Sequence, residues 1–432
     1  MPHSTPARVA YVNARLLDPA SGMDAKGVLV TEGEVIAEFG PDVSIPEGAT
    51  VIDCAGQCLA PGLVDMRVQL REPGEEHKET LKSAAEAAVA GGVTSMVCLP
   101  NTHPVIDDVA TVEFVARRAR KNGLAKVYPY AAATKGLKGE ELAEMGMLAE
   151  AGALAFTDGC KAIGDAKTMR RALSYAATFG LLVVQHPEDP SLARDGLMNE
   201  GEIATRMGLA GIPSCAEAMM LERDMHLVAL TGARYHAGHV STAEGLNVLR
   251  KAKARGLNVT CDTAPPYFAL NELAVGDYRS FAKLSPPLRS EADRQAVVAA
   301  LKEGLITAIA SDHAPQDQDS KRLPFAVAAF GGVGLETLLP VSLELYHNGH
   351  LSLLEVLRLV TCGPADLLGL KAGRLAKGAP ADLVMFDPER GWQIKAEKFR
   401  SKSKNSPFDG RPVQGLVLRT VIDGRTVFER HD

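Results

Sequence analysis

The stretch Ala153-Leu-Ala-Phe-Thr-Asp158 is answered, one helix length later, by Leu181-Leu-Val-Val-Gln-His186. Each is a short apolar run that stops on a polar side chain able to bind a cation or move a proton. Working outward, the same kind of run recurs at residues 95–99, 127–132, 233–236, 258–261 and 306–311, always separated by longer stretches of helical character. Strands alternating with helices imply parallel βα units, because a parallel partner needs a crossover that a helix supplies. About eight such units between Leu63 and roughly Leu368 close into a barrel, and in a barrel chemistry sits where the strands end.

Outside that span the pattern changes. Residues 1–60 hold short β-type runs at 9–13, 27–31 and 35–39, broken by Pro and Gly turns. The chain returns to β character at 381–386 and 417–423, with turns at Gly373, Gly378 and Gly424. Neither end alone has enough strands to bury a face, so both are expected in one domain. The reading is an α/β protein: a TIM-type (β/α)8 barrel over residues 61–368, with a small β-sandwich built from both termini, 1–60 and 369–432. The basic, Ser-rich segment 398–408 reads as a surface loop, and Met219, Met220, Leu221 and Met225 read as helix core.

Composition narrows the function classes. A chain of 432 residues suits one large barrel plus an appendage, and 46% hydrophobic with 23% charged residues is the balance of an ordinary globular protein. A formal charge of -6 without a Lys/Arg cluster argues against a nucleic-acid partner, since phosphate-backbone affinity comes from concentrated cations. The seven cysteines, among them Cys54, Cys58, Cys98, Cys160 and Cys261, stand singly without CxxC pairs, and read as buried free thiols of a reducing cytoplasm. Residues 1–8 are polar, and no stretch approaches the apolar run a membrane span needs. A cytoplasmic protein with a small-molecule or protein partner is expected.

Four polar groups fall just past expected barrel strands: Asp158, His186, His239 after Tyr235-His-Ala-Gly, and Asp312 after Ala308-Ile-Ala-Ser. Two imidazoles and two carboxylates from four strand ends would converge on one face, where they suit a cation. Each alone reads equally well as a loop residue or helix cap. The register of all four is what favours a metal site. His77, His103, His226, His236, His313, His347 and His350 read as surface or core residues.

The stretch Pro61-Gly-Leu-Val-Asp-Met-Arg-Val-Gln-Leu-Arg-Glu-Pro-Gly74 resembles the first-strand motif of the dihydroorotases. Further matches run nearly the whole length: Cys98-Leu-Pro-Asn-Thr, Ala155-Phe-Thr-Asp, Gln185-His-Pro-Glu-Asp, Tyr235-His-Ala-Gly-His-Val-Ser-Thr, Ser285-Pro-Pro-Leu-Arg, Ser311-Asp-His-Ala-Pro, Gly334-Leu-Glu-Thr and Gly378-Ala-Pro-Ala-Asp-Leu-Val. By that resemblance the fold is an amidohydrolase barrel with a flanking β-sandwich. The activity is the reversible cyclisation of N-carbamoyl-aspartate to dihydroorotate in pyrimidine biosynthesis. Zinc in that family lowers the pKa of a bound water and polarises the scissile carbonyl. The resemblance makes Asp312 the catalytic acid/base and a ligand, Asp158 the bridging-ligand position, and His186 and His239 the second-site ligands. Arg71 and Asn101 would hold the substrate carboxylate, Arg71 in a bidentate manner.

The departures fall at the metal. Arg67 and Gln69 stand where the family reads His-x-His; a guanidinium has no lone pair to give and an amide is a poor zinc ligand. The first metal position is expected to be lost, with Arg67 bridging to Asp312 or Asp158. Gln316, Ser285 and the Pro266-Tyr267 pair also depart from the pattern. Two readings follow. One is a catalytically silent or impaired subunit, resembling the family members that lack the His pair and assemble with aspartate transcarbamoylase. The other is an active hydrolase of a cyclic amide using a single zinc on Asp158, His186, His239 and Asp312. At most one zinc per chain is expected, and a homo-oligomer.

Overall fold

The computed structural model describes residues 7–431; the polar start of the chain up to Pro6 lies outside them. Eight parallel strand positions follow one another around a ring. Leu63–Val68, Val93–Cys98 and Lys126–Pro129 pair in order, and Leu182–Gln185, Arg234–Ala237, Val259–Thr263 and Ala308–Ile309 form a second run. Phe156 bridges the two runs by pairing with Ala131 on one side and Val183 on the other. Val68 pairs with His313, which closes the barrel between its last and first strands. The α/β barrel read from the alternation of runs is therefore present.

The barrel strands are buried on both faces, as their near-continuous Val, Leu, Ile and Ala content requires. Helices cover the outer face with amphipathic stripes. The helix Ala166–Thr178, for example, buries Met169, Ala172, Leu173 and Ala176 and is capped by Asp165, whose side chain accepts from Thr168 N. The helix Cys215–Thr231 buries Met220, Leu221 and Met225, but Met219 is 57% exposed. Its position one residue before the buried stripe turns it to solvent, against the expectation of a core residue.

The two chain ends share one eight-stranded sheet. The strand Arg8–Asp18 is its branch point: it pairs with Met23–Glu32 along its length, with Thr50–Asp53 through its first half and with Cys58–Pro61 through its second. The branching produces two layers around Tyr11, Leu16, Leu29, Ile36, Leu59, Leu383 and Val421. Cys58–Pro61 then pairs with Leu383–Gln393, which joins the N-terminal strands to the C-terminal ones.

Residues 398–408 are not a surface loop. Ser401, Ser403, Asn405, Ser406 and Phe408 are buried, while Lys398 and Lys402 face solvent. The segment straps across the barrel mouth because its small polar side chains find buried partners. Ser401 Oγ and Lys402 N donate to Glu79, and Asn405 Nδ2 donates to Ala314 O and Gly331 O. Composition suggested solvent; the alternation of exposed Lys with buried Ser was the overlooked signal.

Candidate functional site

The end of the first barrel strand sends Arg67 into the barrel. Its side chain is 2% exposed, and its Nε donates to Asp312 Oδ1 at 2.9 Å. Nη2 reaches Gly159 O at 3.3 Å, while the buried Nη1 has no partner. Gly238 faces this guanidinium closely: a Cβ there would stand 3.5 Å from Nη1 and 3.3 Å from Gln185 O. Two residues on, Gln69 donates from Nε2 to Cys160 Sγ at 3.1 Å and accepts from Asn101 Nδ2 at 3.1 Å. Arg71, buried in the same segment, donates to Pro315 O and pairs with Glu75 at 2.9 Å.

Asp312 is shared. One oxygen takes Arg67, and the other lies 3.3 Å from His239 Nδ1. Burial pushes its carboxyl up, but the hydrogen-bond contact with the His239 ring and the charge of the Arg67 guanidinium outweigh burial and hold it below the usual range. His239 Nε2 meets His186 Nδ1 at 2.8 Å, and His186 Nε2 lies 3.6 Å from Glu188. Burial first, then the nearby Arg67 charge, lowers the His239 imidazole to about 4, so it is neutral at physiological pH. Asp158 stands apart from this chain of contacts. Its Oδ1 accepts from Thr134 N at 2.9 Å and its Oδ2 from Thr134 Oγ1, and burial raises its pKa.

Arg71, His239 and Asp312 all have positive φ, at 61°, 40° and 50°. Such conformations cost about 1–3 kcal/mol each in a non-glycine residue and persist only where the surroundings impose them. Asp262 explains one of them. Its Oδ1 accepts from His239 N at 2.6 Å while its other oxygen binds His236 Nε2 at 2.8 Å. Asp262, Glu188 and Cys160 also contact this candidate site, although they are not singled out for it by the sequence reading. Asp262 follows the run at residues 258–261, so the rule that found Asp158 and Asp312 applies to it equally. Cys160, expected among the buried free thiols, is half-buried beside Gln69 and Asn101.

Among the described residues no three His, Cys, Asp or Glu side chains are placed to hold a metal ion. The donor chemistry gives the reason. His186 and His239 direct ring nitrogens at each other, Asp312 is bound by a guanidinium, and both oxygens of Asp158 are held by Thr134. A dication at Arg67 would also face a fixed positive charge in a partly desolvated pocket. In this arrangement the residues do not fit zinc.

This fold, with a polar cluster at the strand ends, belongs to the amidohydrolase barrels that carry a flanking β-sandwich. The structure matches L-hydantoinase from Arthrobacter aurescens with a TM-score of 0.88 at 25% identity, covering 98% of this chain and 96% of that one. It matches dihydropyrimidinase from Brevibacillus agri NCHU1002 with a TM-score of 0.82 at 23% identity, covering 98% and 95%. Within that class, residues 56–245 match the family model described as dihydro-orotase-like. The chain is 48% identical over 426 residues to the dihydroorotase of Anaplasma phagocytophilum (strain HZ), covering 97% of this chain and 95% of that protein. It is 46% identical over 418 residues to the dihydroorotase of Pelobacter propionicus (strain DSM 2379 / NBRC 103807 / OttBd1), covering 97% and 99%. The chain belongs to the dihydroorotase family, the cyclic-amide hydrolases of pyrimidine biosynthesis.

Proposed function

We propose that this chain is a dihydroorotase-family protein without turnover of its own, retained in the cytoplasm as a partner subunit of aspartate transcarbamoylase within an oligomeric assembly. The observation that carries the reading is the buried Arg67–Asp312 ion pair. Opening a cyclic amide needs an activated water, a carboxylate free to take its proton, and donors that polarise the carbonyl. Here the carboxylate in the acid/base position is tied to a guanidinium, which lowers its basicity. The two groups that would hold a substrate carboxylate are engaged as well, Arg71 with Glu75 and Asn101 with Gln69. A chain that keeps the whole barrel and sandwich while its chemical centre is locked is explained by selection on its surface rather than its turnover.

Metal analysis of the purified protein, together with a dihydroorotate hydrolysis assay with zinc supplied, tests the first half. The expected result is no stoichiometric zinc and no turnover. Bound zinc near about one equivalent per chain with turnover would overturn it and establish the single-zinc enzyme on Asp158, His186, His239 and Asp312. Co-purification with the aspartate transcarbamoylase of the same organism tests the second half. Two proteins that elute separately at micromolar concentration would remove the partner assignment.

A further inference from the structure

Four residues past Asp312, on the rim of the barrel, Gln316 lines a separate cavity of about 120 Å³. Its wall carries three cations, Lys321, Arg322 and Lys404, against one carboxylate, Asp317, together with Phe281 and the amides of Gln318 and Asn405. Asp317 is already engaged as a helix cap, accepting from Ser320 N at 2.8 Å.

Lys321 is 2% exposed, and no carboxylate pairs with it among the described residues. Its ammonium donates to Ala329 O at 2.8 Å and Gly331 O at 3.0 Å, which occupies two of its three N–H groups. A second buried ammonium, Lys283, sits against the same loop on Phe325 O and Ala326 O. Burial, with Lys283 adding to it, brings Lys321 down to about 7. An anion beside it would offset that desolvation. Two neighbouring side chains carry polar atoms without a partner among the described residues. The Gln316 Oε1 atom is buried without a donor, although its Nε2 is held by Phe330 O, and the exposed Arg322 side chain makes no hydrogen bond or ion pair. Lys404 Nζ donates to Phe399 O and Ser401 O, so all three cations lack a carboxylate partner among the described residues, and they stand beside one acceptor that needs a proton donor.

We propose that this rim cavity binds a phosphate group, either the free ion or a phosphomonoester. Negative oxygens face Lys321, Arg322 and Lys404, and a ligand hydroxyl donates to Gln316 Oε1. Neither carboxylates nor neutral ligands satisfy both halves of that lining equally well, because an ionised carboxylate has no proton for the amide oxygen. The site does not depend on whether the barrel centre turns over substrate.

Isothermal titration of the full chain in low-salt, phosphate-free buffer tests this, with inorganic phosphate and ribose 5-phosphate as probes. Saturable binding at one site per chain, weakening as NaCl is added, is expected. Arg322→Gln, a change at an exposed and unpaired side chain, should weaken it about tenfold, the loss of one charge-assisted contact. Lys377→Gln, at an exposed lysine near the sandwich, should leave it unaltered. Tighter binding of ribose 5-phosphate identifies a monoester ligand and tighter binding of the inorganic ion identifies free phosphate; either supports the site. Absence of saturable binding for both probes, or equal binding by the parent and Arg322→Gln, overturns it.

Discussion

The two ends of the barrel treat buried positive charge differently. At the base, Lys126 opens the third barrel strand and is held between two carboxylates of the sandwich, Asp382 at 2.8 Å and Asp423 at 2.7 Å. Burial pulls its pKa down, and the paired aspartates more than compensate, so it is raised. At the mouth, Arg67 faces Asp312 with one nitrogen left unpartnered, Lys321 meets carbonyl oxygens, and Lys283 meets carbonyl oxygens and the faces of Phe325 and Phe330. The base is matched for cohesion, tying barrel to sandwich. The mouth keeps two ammonium groups, Lys283 and Lys321, that no carboxylate pairs with among the described residues, as expected of the barrel face on which ligands are bound.

The largest expected effect lies at the mouth. Arg67→Met removes the guanidinium from a carboxylate whose side chain is only 16% exposed. Breaking a buried pair on one side costs about 3 kcal/mol, so the urea midpoint and melting temperature should both fall. Arg67→Lys should recover only part of this, because an ammonium cannot reproduce the planar fork. An unchanged melting temperature for Arg67→Met would mean that the two ends do not differ in the way described.

At the base, Lys126→Met leaves Asp382 and Asp423 facing each other. Because Lys126 is itself 24% exposed, water softens the effect to about 2 kcal/mol. The loss should appear as earlier proteolysis between sandwich and barrel during denaturant titration. A global midpoint shift without that local opening would show that Lys126 does not couple the two domains.

The smallest effect concerns Lys321. With a folded pKa of about 7 against an ordinary 10.5, the unfolded chain binds the extra proton between those values. Burial of this ammonium therefore costs stability in full below pH 7, and the cost is relieved as pH rises from 7 toward 10.5. Between pH 7 and 8 the gain is on the order of 1 kcal/mol. Lys321→Met should flatten that rise relative to the parent in phosphate-free buffer. Parallel pH profiles would place the ammonium in a better-solvated setting than the carbonyl nest implies.

Much of the architecture was readable because each barrel strand is a short apolar run and each run is insulated by a helix. The eighth strand, Ala308–Ile309, is short, yet the polar residue after it gave its position away. The strap was not readable, since its burial depends on Glu79 and Ala314, which lie far away in the chain. At the site, residue types at strand ends announced Asp158, His186, His239 and Asp312 but not their pairing. The reading left Arg67 two possible carboxylates; Thr134 holds Asp158, and Arg67 is found on Asp312. A partner on a neighbouring strand decides that, and nothing local in the sequence reports it.

The positive φ angles at Arg71, His239 and Asp312 mean that aim and payload have come apart in this chain. The backbone directs residues 239 and 312 into the barrel, and the bond from His239 N to Asp262 holds the first of them without any atom of residues 67 or 69. Any route toward or away from catalysis therefore runs through interchangeable tips on a fixed mount. A designer who places histidines at 67 and 69 removes the Arg67–Asp312 ion pair and keeps the Asp262 bond that aims residue 239.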